Sequence, residues 1–320
     1  MGREQIVIGT RGSLLAMAQT QMMAARIASA CPGLHVDIRR IQTTGDKRAV
    51  DAIPEIGQKG IFTYELEQAL LAGEIDLAVH SAKDLPTEVP AELDLLVVPA
   101  REDPRDALIS REGRPLAFLR HSAVVGTSSL RRQAQLKRIR ADLRFVALRG
   151  NIDTRIAKVH RGDCDAAVLA LAGLRRADLA RNVTQVLDVD VMVPAPGQGV
   201  LAVQGRRDDD ELRAMLAPLD DAATRAALLC ERRIIDNLEG GCRTPIGAWV
   251  RVSGDRLCGD AVVAMPDGSR LARAGAETAL GEWQLLAEIL VQDLRRQGAD
   301  AIIAASRDPS GMATTASPQR

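Results

Sequence analysis

Short apolar runs alternate with longer amphipathic stretches along the first two thirds of the chain. The runs at residues 5–9, 75–79 and 93–98 predict strands, and the first is followed by an apolar-rich helix with Ser13 at its N-cap. Further strand–loop–helix units begin near residues 123, 144 and 166. Repeated units of this kind predict an α/β fold with a doubly wound, mostly parallel sheet.

The remaining segments follow different patterns. Residues 101–109 predict a crossover between domains, residues 194–204 a turn and a strand, and residues 208–237 one continuous helix. Meander strands are expected at 248–264 and 271–278, before a final helix at 282–297, which together indicate a small α+β domain. Glycines and charges at 44–60 predict a mobile loop, and residues 307–320 a disordered tail.

Charge is balanced overall but uneven along the chain. The 320 residues include 42 basic and 42 acidic side chains, so no global field favours nucleic acid or an anionic membrane. Between Thr127 and Arg161, however, ten Lys or Arg residues face only Asp142 and Asp153. This local excess of positive charge predicts a binding site for anions.

Cysteine spacing and hydropathy exclude several classes of protein. The five cysteines are odd in number and lack C-x-x-C spacing, which disfavours a disulfide framework or a zinc site, and we expect no metal. No segment approaches the ~18 consecutive apolar residues of a membrane helix. The N-terminus lacks the pattern of a secretory signal, so a reduced, cytoplasmic protein is expected.

Basic loops follow several predicted strands, at the edge of the sheet where α/β proteins bind ligands. Their sequences are TRGS at 10–13, GTSSLRR at 126–132, LRGNIDTR at 148–155 and AGLRR at 172–176. Helix N-termini attract anions, and arginine matches the two oxygens of a carboxylate. The sequence lacks a phosphate-binding G-x-x-x-x-G-K-[ST] loop, so a ligand with several carboxylates is favoured. The arginines assigned to this site are Arg131, Arg132, Arg149, Arg155 and Arg176, whereas Arg138, Arg140 and Arg144 are interpreted as solvated helix positions.

One acidic residue stands among these bases. Asp84 ends the segment HSAKD, beside Lys83, at the carboxyl end of a predicted strand. A carboxylate there could steady a developing cation, hold a donor N–H or pass a proton. A salt bridge or a helix cap explains the spacing equally well. Asp46, in TTGDK, is a weaker candidate because an aspartate in such a loop commonly caps it.

Taken together and in order, these motifs resemble the hydroxymethylbilane synthase family. The matching segments are RGSLLA, TTGDK, QKGIFTYELEQALL, AVHSAKDLP, REDPRDALIS, GTSSLRRQAQL, LRGNIDTR, LALAGLRR, PAPGQG and LEGGCRTPIG, from Ile6 to about Ala304. The resemblance implies two doubly wound domains, similar to bilobed periplasmic binding proteins, and a third α+β domain. It places domain 1 at 1–99 and 200–217, domain 2 at 105–193 and domain 3 at 222–306.

The resemblance also implies the chemistry. Four porphobilinogen molecules would be condensed head to tail, each losing ammonia, into the linear tetrapyrrole 1-hydroxymethylbilane. The chain would grow on a dipyrromethane cofactor attached through a thioether to the cysteine of EGGC, here Cys242. A monomer that binds neither nucleic acid nor membrane is expected from the same resemblance.

Residue roles follow from the matched motifs. Asp84 would be the catalytic residue. The residues assigned to the cofactor, besides Cys242, are Lys83, Ser81, Asp46, Thr127, Ser128, Ser129, Arg131, Arg132, Arg149 and Gly150. The residues assigned to the substrate are Arg11, Ser13, Gln19, Lys59, Phe62, Arg149, Asn151, Arg155, Arg176 and Gln198. The chain departs from the family pattern at Leu14, usually Pro, and at Glu55, often Lys, which puts in doubt a substrate-binding role for position 55.

Two alternatives remain open from the sequence. A carboxylate-binding protein of the same bilobed fold would need neither Asp84 nor Cys242, and such proteins are usually exported. A regulator that binds nucleic acid through the basic helix at 129–140 would bind in a salt-sensitive manner. The second is disfavoured because that region lacks aromatic side chains on which bases could stack.

Overall fold

The computed structural model describes residues 3–44, 62–238 and 244–307. Asp46, Glu55, Lys59 and Cys242 lie outside the described residues, as do most of the loop predicted at 44–60 and nearly all of the predicted tail. Among the described residues, no helix is long and apolar enough to cross a membrane.

Strands and helices alternate over most of the chain. In chain order the strands are β1 (Gln5–Thr10), β2 (His35–Arg40), β3 (Leu77–Ser81), β4 (Leu93–Val97), β5 (Asp106–Ser110), β6 (Val124–Gly126), β7 (Arg144–Val146), β8 (Ala166–Ala170), β9 (Gln185–Leu187), β10 (Leu201–Arg206), β11 (Ile246–Ser253), β12 (Arg256–Ala264) and β13 (Leu271–Ala279). The α-helices are α1 (Leu14–Ala30), α2 (Tyr64–Leu71), α3 (Leu130–Ile139), α4 (Ile152–Arg161), α5 (Leu171–Arg176), α6 (Asp210–Leu216), α7 (Ala222–Asn237), α8 (Trp283–Arg296) and α9 (Ala299–Arg307).

The first five-stranded sheet has the order β2-β1-β3-β10-β4. Strands β2, β1 and β3 are parallel, and β10 runs antiparallel to both β3 and β4. The carboxyl ends of β1 and β3 therefore meet at one edge, which brings Arg11 close to the segment Ser81–Asp84. We call this sheet and its helices α1, α2 and α6 lobe 1.

The second five-stranded sheet repeats this plan in the order β7-β6-β8-β5-β9. Strands β7, β6 and β8 are parallel, and β5 runs antiparallel to β8 and β9. The loops that follow β6, β7 and β8 carry the segments 127–129, 147–151 and the start of α5. We call this sheet and its helices α3, α4 and α5 lobe 2. In each lobe four strands run in one direction and one strand runs in the opposite direction, which confirms the predicted α/β class. The three domain boundaries stay a prediction.

Local structure corrects the sequence analysis in four places. The predicted crossover at 101–109 contains strand β5, whose residues are all buried. The predicted helix at 208–237 is broken at Ala217–Leu219, where Pro218 interrupts it, and restarts with Asp221 as N-cap. The strand expected at 248–264 is a hairpin, since Gly254 turns the chain with φ +61°. The helix α9 follows the predicted final helix.

The third sheet, β11-β12-β13, is antiparallel and packs against α7, α8 and α9. Its core is aliphatic and includes Ile234, Val250, Leu257 and Leu290, all at most 1% exposed. Few aromatic residues are available in this chain, so Leu, Ile, Val and Ala fill the cores of both lobes as well.

A buried ion pair joins this third sheet and its helices to the two segments that connect the lobes. The first connection, residues 98–105, runs from β4 to β5, and the second connection, residues 188–200, runs from β9 to β10. Glu231, in α7, lies 2.5 Å from Nη1 of Arg101 in the first connection. Its Oε2 also accepts a hydrogen bond of 2.6 Å from the amide of Gly197 in the second connection, and its Oε1 accepts one of 2.7 Å from Val250. One fully buried carboxylate therefore satisfies donors from three parts of the molecule.

Replacing this carboxylate is expected to destabilise the protein strongly. Glu231→Gln leaves Arg101 buried without its counter-charge, which typically costs about 3–5 kcal/mol. Urea unfolding followed by circular dichroism measures the change. Glu277→Gln is the control, because its pair with Arg256 is exposed at the surface, and its effect should stay below about 1 kcal/mol. Equal effects of the two substitutions would contradict the assignment of Glu231.

Candidate active site

A cleft of about 460 Å³ lies between the loop edges of the two lobes. It collects most of the residues predicted for the site. The predicted residues that line it are Arg11, Ser13, Gln19, Phe62, Ser81, Lys83, Asp84, Ser128, Arg132, Arg149, Gly150, Asn151, Arg155 and Arg176. The fold therefore brings together residues that are far apart in the sequence, from Arg11 to Arg176.

Asp84 reaches the cleft from a short 3₁₀ turn, Ala82–Asp84, directly after β3. The turn rests on the second connection between the lobes. A side chain on Gly197 would place its Cβ 3.0 Å from the backbone nitrogen of Lys83, and the φ of +71° at this position also favours glycine. Glycine is thus favoured at position 197, where the chain packs against the turn that carries Asp84. The side chain of Asp84 stays exposed to the cleft.

Lys83 is a strongly perturbed cation of the cleft. Burial lowers its pKa to about 8, against the opposing effects of Asp84 and Asp106, and Arg132 and Arg131 lower it further. Its Nζ lies 3.5 Å from Oε1 of Gln198. Near neutral pH this ammonium group is charged, and it requires little rise in pH to lose its proton.

The other residues of lobe 1 are held by contacts within the lobe. The guanidinium of Arg11 lies over the ring of Phe62, 4.1 Å from its centroid, in a cation–π contact. Ser13 is the N-cap of α1, as predicted, and accepts a hydrogen bond of 3.3 Å from the amide of Ala16. Gln19 donates a hydrogen bond of 3.0 Å to Ser81, which fixes both side chains at the cleft wall.

Lobe 2 contributes arginines that are oriented by backbone carbonyls. Arg155 donates through Nε to the carbonyl of Gly150 at 2.8 Å. Its pKa is lowered, first by burial and then by Arg132, while Asp84 across the cleft opposes the shift. The negative charge of Asp84 thus acts to raise the pKa of a cation in each lobe, Lys83 and Arg155.

Arg176 also lines the cleft. It donates through Nη2 to the carbonyl of Gly199 at 2.6 Å, and burial lowers its pKa to about 10. The carbonyl of Gly199 belongs to the second connection, so this arginine of lobe 2 contacts the segment that leads back to lobe 1.

Exposed polar groups complete the wall of lobe 2. Ser128 donates a hydrogen bond of 3.3 Å to the carbonyl of Leu148, and Arg149 and Asn151 are exposed. Gly150 adopts φ +108°, a conformation that glycine favours. These side chains and the start of α4 present several donors to a bound anion.

Four of the predicted residues that the structure describes do not line the cleft. Thr127 accepts a hydrogen bond from the amide of Ser129, and Ser129 caps α3 by accepting one from the amide of Arg132. Arg131 is only 5% exposed and donates to the carbonyl of Val193. The fourth, Gln198, is fully buried behind the cleft and donates through Nε2 to the carbonyl of Pro104 at 2.7 Å.

The structure adds residues that the motifs did not indicate. Apolar side chains line the cleft between the cations, and a pyrrole ring would find apolar contacts there; they include Leu15, Leu148, Ile152, Leu169 and Val200. Asp106 is fully buried and pairs with both Arg131 and Arg132. Its segment, REDPRDAL, lies in the crossover that the sequence predicts between domains. The spacing of its residues does not indicate that Asp106 turns toward helix α3.

The cleft is suited to a small molecule with several carboxylates and a reactive cationic centre. Arginines and Lys83 surround Asp84, the hydroxyls and amides supply neutral donors, and the walls between them are apolar. Charge-assisted hydrogen bonds contribute about 1.5–3 kcal/mol each. Among the residues that the structure describes, no group of three or more His, Cys, Asp or Glu side chains could hold a metal ion.

Comparison with solved structures returns distant similarity. An ancestral arginine-binding protein bound to glutamine is 16% identical, with a TM-score of 0.35, over 68% of this chain and 91% of that protein. The periplasmic VFT2 domain of BvgS from Bordetella pertussis is 17% identical, with a TM-score of 0.38, over 67% of this chain and 86% of that domain.

Sequence comparison is much closer. The model of the porphobilinogen deaminase, dipyromethane cofactor binding domain matches residues 6–214, and that of the porphobilinogen deaminase C-terminal domain matches residues 226–296. Porphobilinogen deaminase is the other name of hydroxymethylbilane synthase. The porphobilinogen deaminase of Roseiflexus castenholzii is 45% identical over 302 residues, 94% of this chain and 99% of the relative. The matching domains and this near full-length identity establish that the chain belongs to the porphobilinogen deaminase family.

Proposed function

We propose that this enzyme condenses four porphobilinogen molecules head to tail, with loss of ammonia, into 1-hydroxymethylbilane on a dipyrromethane primer. One observation carries the proposal: Asp84 faces a cleft whose other charged side chains are all cations. They are Arg11, Lys83, Arg132, Arg149, Arg155 and Arg176. Each porphobilinogen bears two carboxylates, an acetate and a propionate, and such a cleft matches a chain of these units.

The donors of the cleft fit a dipyrromethane, which carries four carboxylates on two pyrrole rings. Lys83, Arg132, Arg149 and Arg155 would pair with those carboxylates, and Ser81, Ser128 and the Gly150 segment would add neutral donors. When bound, the cofactor supplies the free pyrrole carbon to which the first unit is joined. Attachment through the thiol of Cys242 is part of this proposal, because a thiolate is a good nucleophile for the methylene carbon of porphobilinogen from which ammonia departs.

Asp84 would act on the substrate. Its carboxylate can accept a hydrogen bond from the pyrrole N–H and offset the positive charge that develops as ammonia departs. The same group can also take up a proton and pass it to the departing amine, which returns it to the carboxylate form. Because Asp84 projects from a turn that is packed against Gly197, it meets successive substrates in one fixed position.

The remaining residues would bind the incoming substrate. Arg11 and Arg176 would pair with its acetate and propionate, and Ser13, Gln19 and Asn151 would donate further hydrogen bonds. Phe62, already in contact with Arg11, would lie against the pyrrole ring. The substrate role of Lys59, the cofactor role of Asp46 and the monomeric state belong to this proposal on the family resemblance alone.

Four predicted residues take supporting positions in this scheme. Arg131 would hold Asp106, and Gln198 would hold Lys83, behind the ligand. Thr127 and Ser129 shape the start of α3, which carries Arg132 to the cleft.

Stoichiometry tests the proposal directly. The purified protein is incubated with porphobilinogen, and both ammonia and linear tetrapyrrole are measured. Four ammonia molecules for each 1-hydroxymethylbilane are expected. Binding of porphobilinogen without release of ammonia would instead indicate a carboxylate-binding protein of the same fold.

Arg149 offers a test of the anion site. Arg149→Leu removes an exposed guanidinium from the cleft wall, and we expect cofactor assembly or chain extension to slow about ten- to a hundred-fold. Mass spectrometry of the partly extended enzyme measures the step that slows. Arg144→Leu is the matched control, since Arg144 is exposed outside the cleft and should leave both steps unchanged. Normal assembly and extension in Arg149→Leu would argue against the site.

A further inference from the structure

Asp106 lies at the centre of a buried network, and the mechanism proposed above gives it no task of its own. The side chain is fully buried at the first position of β5. Its Oδ1 accepts hydrogen bonds from Nε and Nη2 of Arg132, at 3.0 and 2.7 Å, and from Nε2 of Gln198 at 3.0 Å. Its Oδ2 lies 2.8 Å from Nη1 of Arg131, which donates its hydrogen bond to Val193, so this second contact is an ion pair.

The direct partners of Asp106, and Lys83 beyond one of them, come from three parts of the molecule. Arg131 and Arg132 begin helix α3 of lobe 2, Gln198 belongs to the second connection between the lobes, and Lys83 belongs to lobe 1. Because Oε1 of Gln198 is 3.5 Å from Nζ of Lys83, Asp106 is linked to Lys83 through a single side chain. A carboxylate of lobe 2 thus reaches a cation on the opposite wall of the cleft.

The charges of this network depend on one another. Burial alone would raise the pKa of Asp106, but the two arginines outweigh it and hold the pKa well below its usual range. Asp106 is therefore negative at neutral pH. Three cations, Arg131, Arg132 and Lys83, face two anions there, Asp106 and Asp84. Without Asp106, Lys83 would face two buried guanidinium groups with only Asp84 to offset them.

Arg132 gains its orientation from the same carboxylate. Its Nη1 donates to the carbonyl of Val168 at 2.8 Å, while Nε and Nη2 are held by Asp106. The guanidinium is thus fixed along two sides, and it still lines the cleft. A donor that is already held in place loses less conformational entropy when it binds a ligand.

We propose that Asp106 is a positioning residue for the reaction: it fixes Arg132 against the cleft and, together with Asp84, supplies the negative charge that keeps Lys83 cationic. The inference rests on the proposed function, because it assigns Lys83 and Arg132 to carboxylates of the same ligands. Asp106 itself touches no ligand in this scheme. It acts by holding Arg132 in place and by offsetting the charges around Lys83, before a carboxylate of the ligand binds.

Asp106→Asn tests the inference, since it removes the charge and keeps the shape. Lys83 is labelled with acetic anhydride over a range of pH, and the modified peptide is quantified by mass spectrometry. We expect the labelling midpoint of Lys83 to fall by about 0.5–1 pH unit. The alkaline limb of the kcat/KM profile should move to lower pH by a similar amount, because Lys83 then loses its proton earlier. Loss of a purely structural contact would move neither midpoint.

Asp142→Asn is the matched control. Asp142 lies just beyond the other end of α3 and pairs with both Nε and Nη2 of Arg140, at 2.7 and 2.8 Å, away from the cleft. The control should leave the labelling midpoint of Lys83 where it is in the unsubstituted protein. An unchanged midpoint in folded Asp106→Asn would overturn the inference.

A second variant covers the case in which Asp106→Asn does not fold. Gln198→Met keeps both ion pairs of Asp106. It removes the acceptor of Lys83 together with the Gln198 donor to Asp106 and Pro104, so the link between Asp106 and Lys83 is lost and the midpoint should again fall; no change there would also overturn the inference. Because labelling requires no turnover, these outcomes are separate from a failure of the proposed function, which the native protein would reveal by releasing no ammonia from porphobilinogen.

Discussion

Asp84→Asn is expected to lower turnover of porphobilinogen by about 10²–10⁴-fold while the protein remains folded. The amide keeps the shape of the side chain but can neither offset a developing cation nor deliver a proton. The neighbouring cations enlarge the effect, because Lys83 and Arg155 would then surround the reacting centre without a compensating charge. Steady-state kinetics and a thermal unfolding curve, measured on the same preparation, separate the loss of chemistry from a loss of structure.

Asp178→Asn is a suitable control for this substitution. Asp178 is exposed two positions after Arg176, and its φ of +55° lies in a region that asparagine tolerates well. The substitution removes one negative charge, as Asp84→Asn does, from a residue that does not line the cleft. Turnover should remain normal in the control, and a near-normal rate in Asp84→Asn would remove Asp84 from the mechanism.

Cys242→Ser is expected to abolish formation of 1-hydroxymethylbilane. A serine hydroxyl is a far weaker nucleophile than a thiolate at neutral pH, so the variant should not acquire the covalent primer. The assay is tetrapyrrole formation after prolonged incubation with porphobilinogen. Cys258→Ser provides the comparison, since Cys258 is a partly exposed free cysteine on β12 of the third sheet and should be dispensable. Activity that survives in Cys242→Ser would show that the primer is held in another way.

Much of the site could be predicted from sequence because its residues follow strands directly. Arg11, Ser81 and Asp84 stand at the carboxyl ends of β1 and β3, and parallel pairing of those strands brings them to one edge. Ser13 illustrates the same principle at a single position: its spacing before an apolar helix predicted the N-cap that the structure contains. The motifs of the family then supplied chemistry that the spacing alone left open.

The rest depended on contacts across the fold. Asp106 looks in the sequence like one acid of a charged connecting segment, and only the antiparallel pairing of β5 with β8 turns it toward Arg132. Arg131 and Arg132 are adjacent in the same basic segment, yet the first is held behind the cleft by Val193 and the second lines it. Glu231 is similar, because nothing in α7 itself indicates that Arg101 and Gly197 meet there. Long-range pairing of buried charges is a property of the packed structure.

We propose above all that porphobilinogen itself builds a covalent primer on Cys242 and is then polymerised from it. The most direct test is the intact mass of the denatured protein, before and after incubation with porphobilinogen, beside Cys242→Ser. We predict an added mass of two porphobilinogen units less two ammonia molecules, present in the native chain and absent from the variant. A native chain that stays unmodified after incubation with porphobilinogen would contradict the claim.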